Sequence, residues 1–354
     1  MAAYTTIDDP SAYFQTILFA SKGAQTFDGN SDLQPDMIWN KNRDSAGYSH
    51  HIVNSVMGVS KLLRVDTGRT EFTSADSITS FNSDGFTVGN DANGYMQSGS
   101  DKIVTWAWKA GTSFSNSAGA NGADLASAGS YNRTAGFSIV TFTGNATDDQ
   151  QIYHGLNSIP KVMILKNRTN GNNESWKVYH QSIGNTHALT LDSTAAASSN
   201  TEFWSDETPT STVFTVGRQD ATNGSGNTHV VFCFSEVQGY SKFGSYAGNG
   251  NADGTFVYTG FSPAWILVKR TNASGWSWYL NDNVRKTFNT NSTSLFPDSS
   301  GAESSDAMYL DMLSNGFKMR GTGNAVNNSS GSHIFMAFAE APFVTSSGVP
   351  TTAR

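Results

Sequence analysis

The sequence predicts an all-β protein of three tandem antiparallel β-sandwich-like, lectin-like repeats of about 100 residues, with a barrel as the alternative for each repeat. The first observation behind this is a motif stated three times. Pro160-Lys161-Val162-Met163-Ile164-Leu165-Lys166-Asn167-Arg168 has counterparts in Pro35-Asp36-Met37-Ile38-Trp39-Asn40-Lys41-Asn42-Arg43 and Pro263-Ala264-Trp265-Ile266-Leu267-Val268-Lys269-Arg270, and in each a lysine stands six places after the proline. The second is a set of landmarks in fixed order around that motif. An aromatic before a Gly/Ser-rich turn opens each copy (Phe19, Phe142, Tyr246), and another in an apolar run closes it (Trp108, Phe234, Phe338), 89, 92 and 92 residues later. Between them lie Phe86-Thr87-Val88, Phe214-Thr215-Val216 and Phe317-Lys318-Met319. A period this long describes a small folded unit, well beyond one solenoid turn. The third is local: apolar and polar residues alternate over short runs bounded by Gly, Asn and Asp, without long apolar stretches of period 3.6, so helices should be few and short.

Residues 1–13 form a polar lead, read as an arm on the first repeat or an attachment segment. Repeat 1 spans 14–111. A strand begins at Phe14, Asp28-Gly29-Asn30 forms a turn, and Met37-Ile38-Trp39 is extended because the fixed φ of Pro35 favours that start. Further strands are expected at 50–53, 56–59, 61–64, 78–81 and 86–88. Residues 112–134, rich in Gly, Ser, Ala and Asn, have little to bury and read as a flexible linker. Repeat 2 (135–238) has strand candidates at 137–142, 161–166, 176–179, 188–191, 213–216 and 230–234. Repeat 3 (239–343) has them at 255–258, 265–268, 276–280, 308–310, 317–319 and 334–338, and residues 344–354 form a polar tail. The short connection 239–245 holds Tyr240 and Phe243, which predicts close packing of repeats 2 and 3.

Composition narrows the function. Over 354 residues, only 14% are charged and the net charge is −7 without blocks, which argues against a nucleic-acid surface. No apolar run approaches the ~20 residues of a membrane span, and the N-terminus lacks the pattern of a classical export signal. The one cysteine, Cys233, lies between two phenylalanines and reads as a packed residue.

The search for chemistry finds no catalytic site, metal site or cofactor. Lys41, Lys166 and Lys269, with an arginine nearby in each copy, read as strand ends carrying their charge to water or to a local carboxylate. Glu202, with Asp206 or Glu207, is the one carboxylate pair a glycan depolymerase could use, and on a strand Glu202, Trp204 and Asp206 would share a face. The adjacent His50 and His51 read as packing or surface residues, and the loop 249–254 as a turn instead of a calcium loop. Among eight tryptophans, Trp39, Trp108 and Trp265 occupy repeat-conserved strand positions and are assigned to cores. Trp176, Trp204, Trp276 and Trp278 fall among Asn, Ser and Gly and are the candidates for stacking sugar rings.

The segments AYTTIDDPSAYFQT, FDGNSDLQPDMIWNKNRD, SFNSDGFTVG, VTWAWKAG, AGFSIVTFTGN, HGLNSIPKVMILKNR, YSKFGSYAGNGNADGTFVYTGF and IFMAFAEAPFVTSSGVPTTAR resemble a family of virion structural proteins of marine tailed phages, including cyanophages. The resemblance covers nearly the whole chain. It implies a component of the particle surface (tail fibre, spike or capsid decoration), assembled in the bacterial cytoplasm. Taken with the residue reading, the chain is expected to be non-enzymatic, a homo-oligomer among other virion proteins, and to touch host glycans through its tryptophans. A purely structural head or tail component is the alternative, and a depolymerase the second alternative.

Overall fold

The computed structural model describes residues 4–27, 33–305 and 308–351, so the expected Asp28-Gly29-Asn30 turn lies outside the described residues. The first unit contains β1 (Phe14–Ala20), β2 (Gln25–Phe27), β3 (Met37–Asn42), β4 (His51–Asn54), β5 (Lys61–Arg64), β6 (Phe72–Thr73), β7 (Ile78–Phe81), β8 (Phe86–Val88) and β9 (Lys102–Trp108). The second contains β10 (Thr112–Asn116), β11 (Ser127–Asn132), β12 (Phe137–Thr143), β13 (Gln150–Tyr153), β14 (Val162–Asn167), β15 (Lys177–His180), β16 (His187–Thr190), β17 (Ser198–Ser199), β18 (Val213–Val216) and β19 (Thr228–Phe234), with the one-turn helices α1 (Thr201–Trp204) and α2 (Asp220–Asn223). The third contains β20 (Ser241–Ala247), β21 (Phe256–Tyr258), β22 (Phe261–Arg270), β23 (Tyr279–Asp282), β24 (Leu310–Leu313), β25 (Gly316–Met319) and β26 (Ser332–Pro342).

The all-β, antiparallel expectation holds, and one strand order recurs. The main sheets run β1-β9-β3-β4, β12-β19-β14-β15 and β20-β26-β22-β23, each followed or flanked by further strands in the first two units. Each is backed by a small sheet, β2-β8-β7, β13-β18 or β21-β25-β24. The aromatic landmarks explain the layers. Phe86 and Val88 meet Ile38 and Val53 between the two sheets of unit 1, Phe214 and Val216 meet Val140 and Leu165 in unit 2, and Phe317 and Met319 meet Ile266 and Val268 in unit 3.

The opposite faces of the three main sheets meet one another. A single central cluster takes Trp39, Trp106 and Trp108 from unit 1, Ile164, Phe232 and Phe234 from unit 2, and Trp265, Met336 and Phe338 from unit 3. Ring centroids lie 5.8 Å apart for Trp108 and Trp265, and 5.8 Å for Phe234 and Phe338. The motif strands are therefore covered on both faces, and every residue of β3, β14 and β22 is buried instead of alternating. Trp39, Trp108 and Trp265 are core residues, as their spacing predicted.

Two readings of the connecting segments need correction. Residues 112–134 are no loose linker: β10 and β11 form a hairpin whose second strand pairs with β12 from Ser127↔Phe142 to Asn132↔Phe137, extending the main sheet of unit 2. Small residues suit this because the strand runs tight against its neighbour, and a Cβ on Gly129 would sit 1.9 Å from the Ile139 carbonyl oxygen. The N-terminal arm leaves unit 1 and lies over the junction of units 2 and 3. The Tyr4 hydroxyl donates to the Gly260 carbonyl at 2.8 Å, Thr5 Oγ1 donates to the Gln238 carbonyl at 2.8 Å, and Ile7 enters the central cluster.

Candidate functional site

The side chains that recur with the motif converge at the seams between units. Lys41, Lys166 and Lys269 close β3, β14 and β22, and all three have no exposed surface. They do not carry their charge to water, which corrects the reading made from strand-end position. Lys41 Nζ donates to the Tyr48 carbonyl of its own unit at 2.7 Å and to the Ser300 carbonyl of unit 3 at 3.4 Å. Lys166 Nζ donates to the Glu174 carbonyl of its own unit and, at 2.6 Å, to the Gly68 carbonyl of unit 1. Lys269 Nζ donates to the Trp276 carbonyl. Burial pulls each ammonium down to about 8, against the attraction of Asp66, Asp192 and Asp298 respectively. Burial in turn pushes those three carboxyls up, partly offset by the lysines.

Trp176 and Trp278 belong to the same seams. The Trp176 indole N–H donates to the Arg64 carbonyl of unit 1 at 2.8 Å, and the Trp278 indole N–H to the Thr190 carbonyl of unit 2 at 2.9 Å. Their backbone N–H groups donate to Asp192 and Asp298. In unit 1 the equivalent position holds His50, whose Nδ1 accepts from Trp39 Nε1 at 3.0 Å and whose ring lies against the Phe296 main chain of unit 3. The contacts thus run from unit 1 to unit 3, unit 2 to unit 1 and unit 3 to unit 2, a head-to-tail cycle closed within one chain.

A second layer surrounds these groups. Arg43 grips Glu303 through two bonds of 2.9 Å, beside a Glu303 N–H to Arg43 carbonyl bond of 2.8 Å. Arg168 meets Glu71 at 2.6–2.7 Å, beside a Glu71 N–H to Arg168 carbonyl bond of 2.9 Å. At the third seam the same backbone bond joins Ala197 N–H to the Thr271 carbonyl at 2.9 Å, with no charge on either side chain. Arg285 also reaches Glu303, and although burial raises that carboxyl, the two guanidiniums outweigh it and hold it below its usual range.

The predicted sugar platforms fare differently. Trp176, Trp204 and Trp278 are at most 1% exposed and cannot stack on a sugar ring. Trp204 points inward from α1, packs edge-on against Tyr179 and donates to the His187 carbonyl at 3.2 Å. Trp276 is half-buried with the Arg270 guanidinium 5.9 Å from its ring centroid. Glu202 opens that same helical turn, so it does not share a strand face with Trp204 and Asp206. Hydrogen bonds from Arg218 and Gln219 hold its carboxyl below the usual range, the opposite of what a general acid needs.

The sequence reading missed the carboxylates. Their signal was present as a repeated triplet of Asp, hydroxyl and small or hydroxyl residue: Asp66-Thr67-Gly68, Asp192-Ser193-Thr194 and Asp298-Ser299-Ser300. Chemically, the buried amines are committed to carbonyls and have no exposed surface; Lys41 and Lys166 fasten units together, Lys269 holds its own unit's strand connection, and all three present nothing to a substrate.

These features define a class of protein: a single-chain, three-unit β ring closed around a shared aromatic core and tied by buried lysines at its seams. The chain belongs to a family described as a domain of unknown function (DUF7483), which matches residues 9–342. No curated protein matches it.

Proposed function

We propose that the chain is a structural protein of a phage virion, displayed on the particle surface, in which the three-unit ring is a rigid, non-catalytic building block held by other virion proteins. The observation that carries this reading is the shared core. Two of the four tryptophans expected to meet sugars, Trp176 and Trp278, are spent on joining the units, and the landmark indoles fill the shared core, so the chain invests much of its aromatic surface in its own cohesion. The resemblance to virion proteins of tailed phages supports the location. The test is to localise the chain in a reconstruction of an intact particle: density in contact with neighbouring virion proteins is expected, and absence of the chain from purified particles would overturn the reading.

Host-glycan attachment is the second reading, favoured now by a different feature. A hollow of about 420 Å³ at one end of unit 1 is lined by Tyr48, Asn90, Asn93 and Ser98 among others, an aromatic beside amides and hydroxyls. Binding of the chain to host cells that is lost in Tyr48→Ala is expected on this reading; unchanged binding would remove it.

A further inference from the structure

The first strand of each main sheet occupies an equivalent place, and its outer edge is treated differently in each unit. In β1 the bonds from Lys109 N–H to the Tyr13 carbonyl and from Ser21 N–H to the Asp101 carbonyl set the phase. Residues 15, 17 and 19 exchange bonds with β9, and Thr16 and Leu18 aim their N–H and C=O outward. The same argument places Ile139 and Phe243 at the position of Thr16. The edge at Ile139 is filled by β11, which pairs Ser130 with it. At Phe243 the N–H donates to Glu236 Oε1 at 2.9 Å and the carbonyl accepts from Gln181 Nε2 at 2.6 Å. Among the described residues, nothing meets the outward groups of Thr16 or Leu18.

The open edge borders a groove of about 400 Å³. It is lined by Phe14, Gln15 and Thr16 on one side and by Ala264, Asn283 and Val284 of unit 3 on the other. The groove exists because unit 1 carries Thr16 where the other units place Ile139 and Phe243 in the central cluster. Thr16 Oγ1 is buried there without a partner. Beside it Leu18 is 37% and Val284 40% exposed. β1, FQTILFA, carries no charge, although a free edge strand is normally guarded by one.

We propose that the outer edge of β1 is a strand-addition site, and that its occupant is a single extended, uncharged segment of a neighbouring protein that pairs antiparallel with Thr16 and Leu18 as β11 pairs with Ile139. The wall of unit 3 leaves room for one slender strand, so a second folded copy is disfavoured. The occupant resembles β11, SAGSYN, in being small and uncharged, with apolar residues where it faces Val284.

The test uses the full chain and a fluorescent synthetic peptide copying residues 126–132, which carry no charged side chain, as probe. Amides of Thr16 and Leu18 are expected to exchange with deuterium at least 100-fold faster than those of Ile139 and Thr141 in the free protein, and the peptide to bind saturably and slow them. Thr16→Pro removes an outward donor without touching a β1–β9 bond, and Leu18→Lys adds a charge to the edge; each should weaken the peptide at least tenfold with near-ultraviolet dichroism unchanged. Protection of Thr16 and Leu18 in the free monomer, or peptide binding indifferent to both variants, would overturn the proposal. So would protection that appears only as light scattering detects a dimer, which would give the edge to a second copy.

Discussion

The indole N–H of Trp176 donates to the main-chain carbonyl of Arg64 at 2.8 Å across the seam between units 2 and 1. One unit further on, Trp278 repeats the bond to Thr190. A side chain type usually reserved for cores or ligands is here an inter-unit fastener, combining large apolar burial with one directed polar bond.

Trp176→Ala and Trp278→Ala should each cost about 3–5 kcal/mol, the range for deleting a large buried aromatic. Trp176→Phe should cost less, about 1–3 kcal/mol, mostly from leaving the Arg64 carbonyl buried and unpaired. Urea unfolding of the three variants checks the order; equal and negligible losses would mean the indoles are not seated in the seams.

Lys166→Ala removes a buried ammonium that bridges Glu174 and Gly68 carbonyls. It leaves both carbonyls and the nearby Asp192 without their counter-group, and a loss of about 3–5 kcal/mol is expected. Chemical denaturation should also show a single transition lost as a whole, since the units share one core.

The third seam lacks the Arg–Glu pair of the other two. Grafting it with Thr271→Arg and Ala197→Glu together should stabilise by no more than about 1 kcal/mol, because a partly exposed ion pair gains little over its desolvation. In contrast, Glu303→Ala strands Arg43 and takes one of two carboxylate partners from the buried Arg285, which keeps Asp282, and should cost about 3 kcal/mol. Melting temperatures of the two variants measured side by side decide this; a graft that outweighs the Glu303 loss would contradict it.

Acid should weaken the fold before the usual carboxylate range. Burial holds His154, His180, His229 and His333 down to about 4, His51 to about 3, and His50 well below its ordinary value. The unfolded chain takes up these protons near pH 6.5 and the folded chain does not, so stability falls as pH drops from about 6.5 towards 4. Asp66, Glu174, Asp192 and Asp298 act in the opposite sense, since the folded chain protonates them first, but they are four against six. Melting temperature should decline steadily between pH 7 and 4.5, and a flat profile would show the imidazoles to be accessible.

Gly129→Ala should detach the β10–β11 hairpin, because the new Cβ cannot coexist with the Ile139 carbonyl 1.9 Å away. Faster hydrogen exchange at Ile139 and Thr141, with the central core intact, is the expected readout; unchanged exchange would show that the strand can shift to admit it.

The alternating runs and Gly/Asn turns were legible because strand formation is decided by neighbours two residues apart, and the all-β fold followed from them. The motif lysines were visible as a pattern, but their role was not. Exposure of Lys41 or Trp278 depends on whether another unit lies beyond the strand end, and local alternation carries no information on that. The same gap turned residues 112–134 from an expected linker into two strands, since the pairing partner β12 supplies what their small side chains cannot bury alone.

By itself the sequence determined the chain's β character, its threefold repetition and the aromatic landmarks of each unit, all set by short-range pattern and spacing. Only the tertiary structure decided that the units are parts of one ring, with indoles and ammoniums at the seams and one strand edge left open at Thr16. The reason is physical: burial and hydrogen-bond partnership are properties of the surfaces brought together, and the indoles, ammoniums and guanidiniums at the seams meet partners in other units from 88 to 260 positions away in the chain.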